Sequence, residues 1–273
     1  MAVEFRGCKN LVFAEITADS ATAYTTGEVK ALAPVAEISK SVETSSDAHY
    51  YDNKAAIIID SEGADTVTFT CAVPDDETLA LITGRTYDST KKMFIESERT
   101  QRYFAVGYIL GEVGEGEDER YVWRLKGTFN IPDESSKTVD SSTDASNLSL
   151  VFTGIYTDHE FANGKGTGVA GSAKANFVRK SDNVASEAAF FSAVVTPDTS
   201  FPAYTLTETV ATNTTLTVTR NGVPLANNAA IFSGDVLTIT VTGGTVKVNG
   251  TNFTSGNTYT VAGNTTVVTT ATE

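Results

Sequence analysis

The sequence predicts a mainly β protein built from two β-modules, and three observations predict it. Residues 35–44 alternate with period two: Ala36, Ile38, Lys40 and Val42 share one face, while Glu37, Ser39, Ser41 and Glu43 share the other. That is the pattern of a sheet with one wet side, with Lys40 out of place. Beyond residue 204, short alternating runs recur, each broken by a turn such as Asn221-Gly222 or Asn249-Gly250, a strong hairpin signal. One short helix is marked. Pro74-Asp75-Asp76-Glu77 places acids in a first turn, Leu79, Ala80 and Ile82 give an apolar side, and Gly84 stops it.

In chain order, residues 11–17 read as a first strand and 18–27 as a polar, turn-rich stretch. The strand at 35–44 leads into a loop at 45–54, too polar for a core yet carrying the adjacent Tyr50 and Tyr51. Residues 55–60 and 66–73 are the next strands, joined by turn residues at 61–65. After the helix come a loop at 85–92, a short strand at 93–95, and strands at 103–110 and 120–127. In the last of these, Tyr121, Trp123 and Leu125 alternate with Arg120, Val122, Arg124 and Lys126. An acidic hairpin tip is expected at 111–119, a solvated loop at 133–146 and a strand at 147–153. Residues 158–172, with Gly164, Gly166, Gly168 and Gly171, look loose, with little to bury: a flexible loop or a subunit-bridging arm.

Composition then changes. Residues 205–273 are Thr-rich and hold only Glu208, Asp235 and Glu273 as acids, against Arg220 and Lys247. Their strand spacing suggests a small β-sandwich, immunoglobulin-like in style. The expected division is a first domain over 1–196, a linker over 197–204 and a second domain over 205–273.

The chain has 273 residues, 20% charged, and a formal net charge of −14. Such a balance argues against gripping nucleic acid through phosphates, which needs clustered Lys and Arg. Residues 1–6 lack the basic start and apolar run of a secretory signal. No run approaches the roughly 20 apolar residues that span a bilayer. Cys8 and Cys71 are expected to be reduced, partly buried thiols.

Tests for chemistry come back empty. Gly166 to Gly171 spells G-x-G-x-x-G, and Glu187 follows about twenty residues on, but no strand leads in and no helix follows. Gly164-Lys165-Gly166 lacks the Ser or Thr that completes a phosphate loop. His49 and His159 have no nearby ligand partners for zinc. Glu112, Glu115, Glu117, Asp118 and Glu119 lack the spacing of a calcium loop. No nucleophile elbow occurs. No catalytic, cofactor-binding or metal-binding residue is expected.

Several stretches together resemble the major tail protein, or tail tube protein, of long-tailed bacteriophages with flexible tails. They are the opening Gly7-Cys8-Lys9-Asn10-Leu11 to Thr17, residues 36–55 (AEISKSVETSSDAHYYDNKA), the helix from Val73-Pro74 to Gly84, residues 120–131, and Leu148 to Gly154. The likeness covers roughly residues 1–200 and is one of order and texture. It implies a tail-tube-type β-sandwich or barrel with one short flanking helix, and subunits that join, six to a ring, into stacked rings around a DNA channel. It implies partners: copies of itself, tape measure, tail terminator and distal tail proteins, and double-stranded DNA in passage. It implies assembly in the host bacterial cytoplasm and a place in the virion tail. On this reading His49, Tyr50, Tyr51, Asp52, Asn53 and Lys165 contact neighbouring subunits, and Glu37 and Glu43 face the channel. Residues 205–273 would be an external decoration, with host surface glycans as the expected partner. The rival reading is a two-module β-rich cell-surface or carbohydrate-binding protein.

Overall fold

The computed structural model describes residues 3–51, 54–114, 116–134, 147–182, 184–201, 203–220 and 222–272, without the side chains of Tyr50, Ala55 and Ala56. Asp52, Asn53 and most of the loop expected at 133–146 therefore lie outside the described residues. The protein is mainly β. It divides into two compact units, Met1–Val178 with Val194–Asp198, and Arg179–Ala193 with Thr199–Glu273. Residues 179–193 thus group with the second unit, whereas the expected division placed them in the first. Within the second unit Phe190 is fully buried, edge-on to Phe191 and stacked on Phe201, which ties the segment there.

The first unit contains β1 (Glu4–Ser20), β2 (Ala23–Thr26), β3 (Lys30–Ala31), β4 (Val35–Tyr51) and β5 (Lys54–Cys71). Next come α1 (Asp76–Thr83), β6 (Thr86–Asp88), β7 (Met93–Ile95), β8 (Phe104–Val113), β9 (Glu117–Phe129), β10 (Leu148–Gly154) and β11 (Ala175–Arg179). Nine strands form one sheet in the order β2-β1-β8-β9-β10-β5-β4, with β3 also on β1 and β11 also on β9. The sheet gathers one core from Phe13 on β1, Val67 and Phe69 on β5, Val106 on β8, Val122 on β9 and Leu150 on β10. Ile82 of α1 joins that core. The helix begins where Asp75 accepts the Thr78 N–H at 2.9 Å and ends at Gly84, whose φ of 71° only glycine adopts easily. A Cβ at Gly84 would also collide with the Thr100 carbonyl.

Five expectations need correction. The turn expected at 61–65 is absent, because β5 runs unbroken from Lys54 to Cys71. The stretch at 45–54 is no loop: β4 runs unbroken to Tyr51 and β5 starts at Lys54, paired from Val35↔Cys71 to Tyr51↔Lys54. Each arm supplies the other's backbone partners, so the strands persist where there is no core to bury. Of the single face assigned to Ala36, Ile38, Lys40 and Val42, Ala36 is lost at the register shift between Val35 and Glu37, while Ile38 and Lys40 keep a common side. Val35 and Ile38 pack on the core while Ala36 is exposed. The acidic tip shrinks, because β8 reaches Val113 and β9 starts at Glu117. Glu112 is not solvated there but 2% exposed and ion-paired with Arg120. Residues 158–172 are not loose: Phe161 is buried edge-on to Tyr24. The Asp198 carboxylate accepts the Ala162 and Asn163 N–H groups, each at 2.8 Å, and pins the segment to its own unit.

The second unit holds α2 (Glu187–Phe190), β12 (Ala203–Thr209), β13 (Thr215–Arg220), β14 (Val223–Pro224), β15 (Ala230–Phe232) and β16 (Val236–Thr242). It continues with β17 (Gly244–Val248), β18 (Thr251–Phe253), β19 (Thr258–Thr260) and β20 (Thr265–Ala271). Two sheets, β15-β12-β20-β17-β18 and β14-β13-β16-β19, close on Leu206, Val218, Ile239, Val246 and Val267. The alternation of β16, with Leu237, Ile239 and Val241 buried between more exposed neighbours, is the pattern of a sandwich strand.

Candidate functional site

Two features of the first unit stand out: a ribbon of two strands without a core, and a cation-rich cavity at its root. In the ribbon, every residue from Ser41 to His49 and from Ile57 to Glu62 is exposed. The core-facing side of β5 runs from Phe69 and Val67 to Asp65; beyond the register shift between Val42 and Thr44, Ile57 and Ile59 share one face of the ribbon and Ile58 the other. Ile59 lies opposite Asp47 and Ile57 opposite His49. Those two isoleucines are 56% and 50% exposed, and Ile58 on the opposite face is 63% exposed. A lone two-stranded ribbon is marginal in water, and isoleucines exposed on both of its faces favour a partner that covers them. Moreover, β4 ends the sheet, with β5 its partner and its other edge open among the described residues.

The residues expected to make contacts fall in both features. His49 is half-exposed, its Nε2 at 3.6 Å from the Asp47 carboxylate, and Tyr51 is exposed near the ribbon's end. Tyr50 pairs with Ala55 along the backbone; Asp52 and Asn53 lie outside the described residues. Lys165 is elsewhere, exposed at the cavity, its backbone N–H donated to the Val169 carbonyl. Of the two acids expected to face the channel, Glu37 is exposed, and together with burial it raises the Cys8 thiol pKa, burial being the larger cause. Glu43 sits at the register shift with its side chain over Gly63.

The cavity encloses about 840 Å³. Its floor is the inner face of the sheet: Ile38 and Lys40 of β4, Asp65 of β5, Tyr108 and Leu110 of β8, and Arg120, Val122 and Arg124 of β9. Its wall is Phe5, Tyr156, Lys165, Lys174 and Phe177. At its centre Asp65, 2% exposed, receives Arg124 at 2.7 Å, Lys40 at 3.1 Å and Lys174 at 3.4 Å. Lys174 also binds Glu62 at 2.6 Å. Burial disfavours charge on Lys174, but the bonds to Glu62 and Asp65 outweigh it and raise its pKa. The Arg120 guanidinium lies between two rings, 4.5 Å from the centroid of Phe177 and 5.1 Å from that of Phe5.

A second ion cluster joins Lys126 to Asp19 at 2.7 Å and to Asp158 at 2.8 Å. Burial works against the Asp19 charge, yet the Lys126 bond and the N–H groups of Asp158 and His159 prevail and lower its pKa. Neither cluster was foreseen. The available signal was Lys40, a charge inside an apolar alternation; Arg124 and Lys126 fall on the polar half of their strand's alternation and Asp65 in an expected turn, so they gave none. Among the described residues no group of three or more His, Cys, Asp or Glu could hold a metal ion.

The chain matches no protein-family model, and comparison with curated proteins gives no match.

Proposed function

We propose that the protein is a self-assembling structural subunit, a tail tube protein whose copies join into rings and stack around a channel for DNA. The observation that carries this reading is the ribbon of β4 and β5, its isoleucines uncovered and its outer edge unpaired among the described residues. An open edge 17 residues long invites another strand or sheet. Such an edge is a hazard for a monomer and an asset for a subunit. Head-to-tail contacts of this kind close into rings or run on as filaments.

The exposed carboxylates of Glu37 and Glu43 on β4 suit a wall that DNA passes without sticking, since phosphate affinity comes from cationic contact. The second unit would stand outside the tube as a decoration, with surface glycans its proposed partner. Negative-stain microscopy of the purified protein tests the reading: rings or tubes are expected. A sample of monomers at every concentration overturns it, and a channel lined by lysines overturns the role given to Glu37 and Glu43.

A further inference from the structure

The cavity carries charge of the wrong sign for this chain. Lys40, Arg120, Arg124, Lys165 and Lys174 meet there, against Glu62, Asp65 and the Glu112 that holds Arg120, a surplus of two cations in a protein of net charge −14. The surplus is not spread evenly. Arg124 and Lys174 are buried on Asp65. By contrast, Lys165 has no ion-pair partner among the described residues, Lys40 keeps 39% of its side chain exposed, and the buried Arg120 Nε has no hydrogen-bond partner. Around these cations stands an apolar rim: Phe5 and Phe177 are exposed over more than half their surface and Tyr156 over nearly half. An acceptor is thus complete in one protomer, cationic inside and aromatic at its mouth, and its ligand must be acidic and apolar together.

The ribbon has that chemistry. Residues 43–62 contain Glu43, Asp47, Asp52, Asp60 and Glu62 against Lys54. Asp47 shares a face with Ile57 and Ile59, and its carboxylate is 82% exposed. We propose that the cavity is the socket for the β4–β5 ribbon of a second copy. Ile57 and Ile59 settle on the Phe5, Tyr156 and Phe177 rim, and Asp47 reaches Lys165. Each copy then carries one plug and one socket on different surfaces, which is a heterologous contact that propagates. The cations also answer the repulsion between copies of like net charge. This inference rests on the assembly reading and adds to it which surfaces meet.

A photo-reactive phenylalanine analogue in place of Ile57 tests it in the full-length protein. Irradiation should give a product of twice the chain mass, with the link mapped to Phe5 or to residues 156–177. Lys165→Glu should weaken association by about tenfold, the scale of a close interfacial ion pair. The double variant Asp47→Lys/Lys165→Glu, which restores the opposite charges, should recover most of it. Both side chains are exposed, so circular dichroism should show the fold intact. Cross-links elsewhere, or a Lys165→Glu protein that assembles like wild type, overturn the socket while the assembly reading stands. Wild-type protein that stays monomeric overturns both.

Discussion

At the scale of single residues, the first unit depends on charges placed where a core would want apolar groups. Asp65 is the extreme case, one buried carboxylate serving three cations. Removing it strands those cations in a low-dielectric site, so Asp65→Ala should cost about 3–5 kcal/mol in urea unfolding. Lys40→Met removes a partly exposed partner instead and should cost about 1 kcal/mol or less. Equal costs for the two would show that burial does not set the energetics of the cluster. Asp19 and Lys126 make a pH prediction. The folded pKa of Asp19 is lowered from 3.8, so its stabilisation is complete above that value and is lost as pH falls through the lower one. The pKa of Lys126 is raised from 10.5, so its share is complete below that and is lost only in strong alkali. Neutral solution keeps both. Asp19→Asn should therefore flatten the acid limb of a stability–pH curve below about pH 4 and also weaken the alkaline limb, since Asp19 and Asp158 together raise the Lys126 pKa; an unchanged acid limb would assign it to other carboxylates.

At the scale of elements, legibility followed burial. The helix was plain because its signals are local: an acidic start, an apolar side and a glycine stop, all found where expected. Asp75→Ala should therefore cost about 0.5–2 kcal/mol through the lost Thr78 cap. Strands that pack on the core were legible from their alternation, as in β10, where Leu148, Leu150 and Phe152 are buried. The ribbon was misread because its arms at 45–51 are polar and resemble a loop by composition. Its strand state comes from cross-strand pairing, with Ser45↔Ser61 separated by 16 residues and Asp47↔Ile59 by 12, and no single-residue propensity encodes that. Lys40 looked like a flaw because its partner Asp65 is also distant in sequence. The ribbon's lack of a core makes a dynamic prediction. Amide exchange over 43–62 should be among the fastest of any strand in the isolated protomer and should slow markedly on assembly. Protection that is already high in the monomer would remove the need for a partner.

At the scale of the whole molecule, everything the assembly reading uses lies in the first unit: the open edge of β4, the isoleucines and the cavity. The second unit has its own sandwich core, from Leu206 to Val267. It also has its own buried ion pair, Arg220 to Asp235 at 2.6 Å. Two cores with separate support can be separated, so a chain ending after Asp198 should still fold its first unit. Asp198 has to stay, because its carboxylate holds the Ala162 and Asn163 N–H groups beside the Lys165 wall of the cavity. Residues 179–193 should unravel in that chain, since Phe190 loses its stack on Phe201 and Ser186 its bond to the Ser233 carbonyl. Self-association, read by light scattering and microscopy, should survive the cut. If the truncated chain folds yet no longer assembles, the second unit takes part in the contacts between copies, and its place as an outer decoration is wrong.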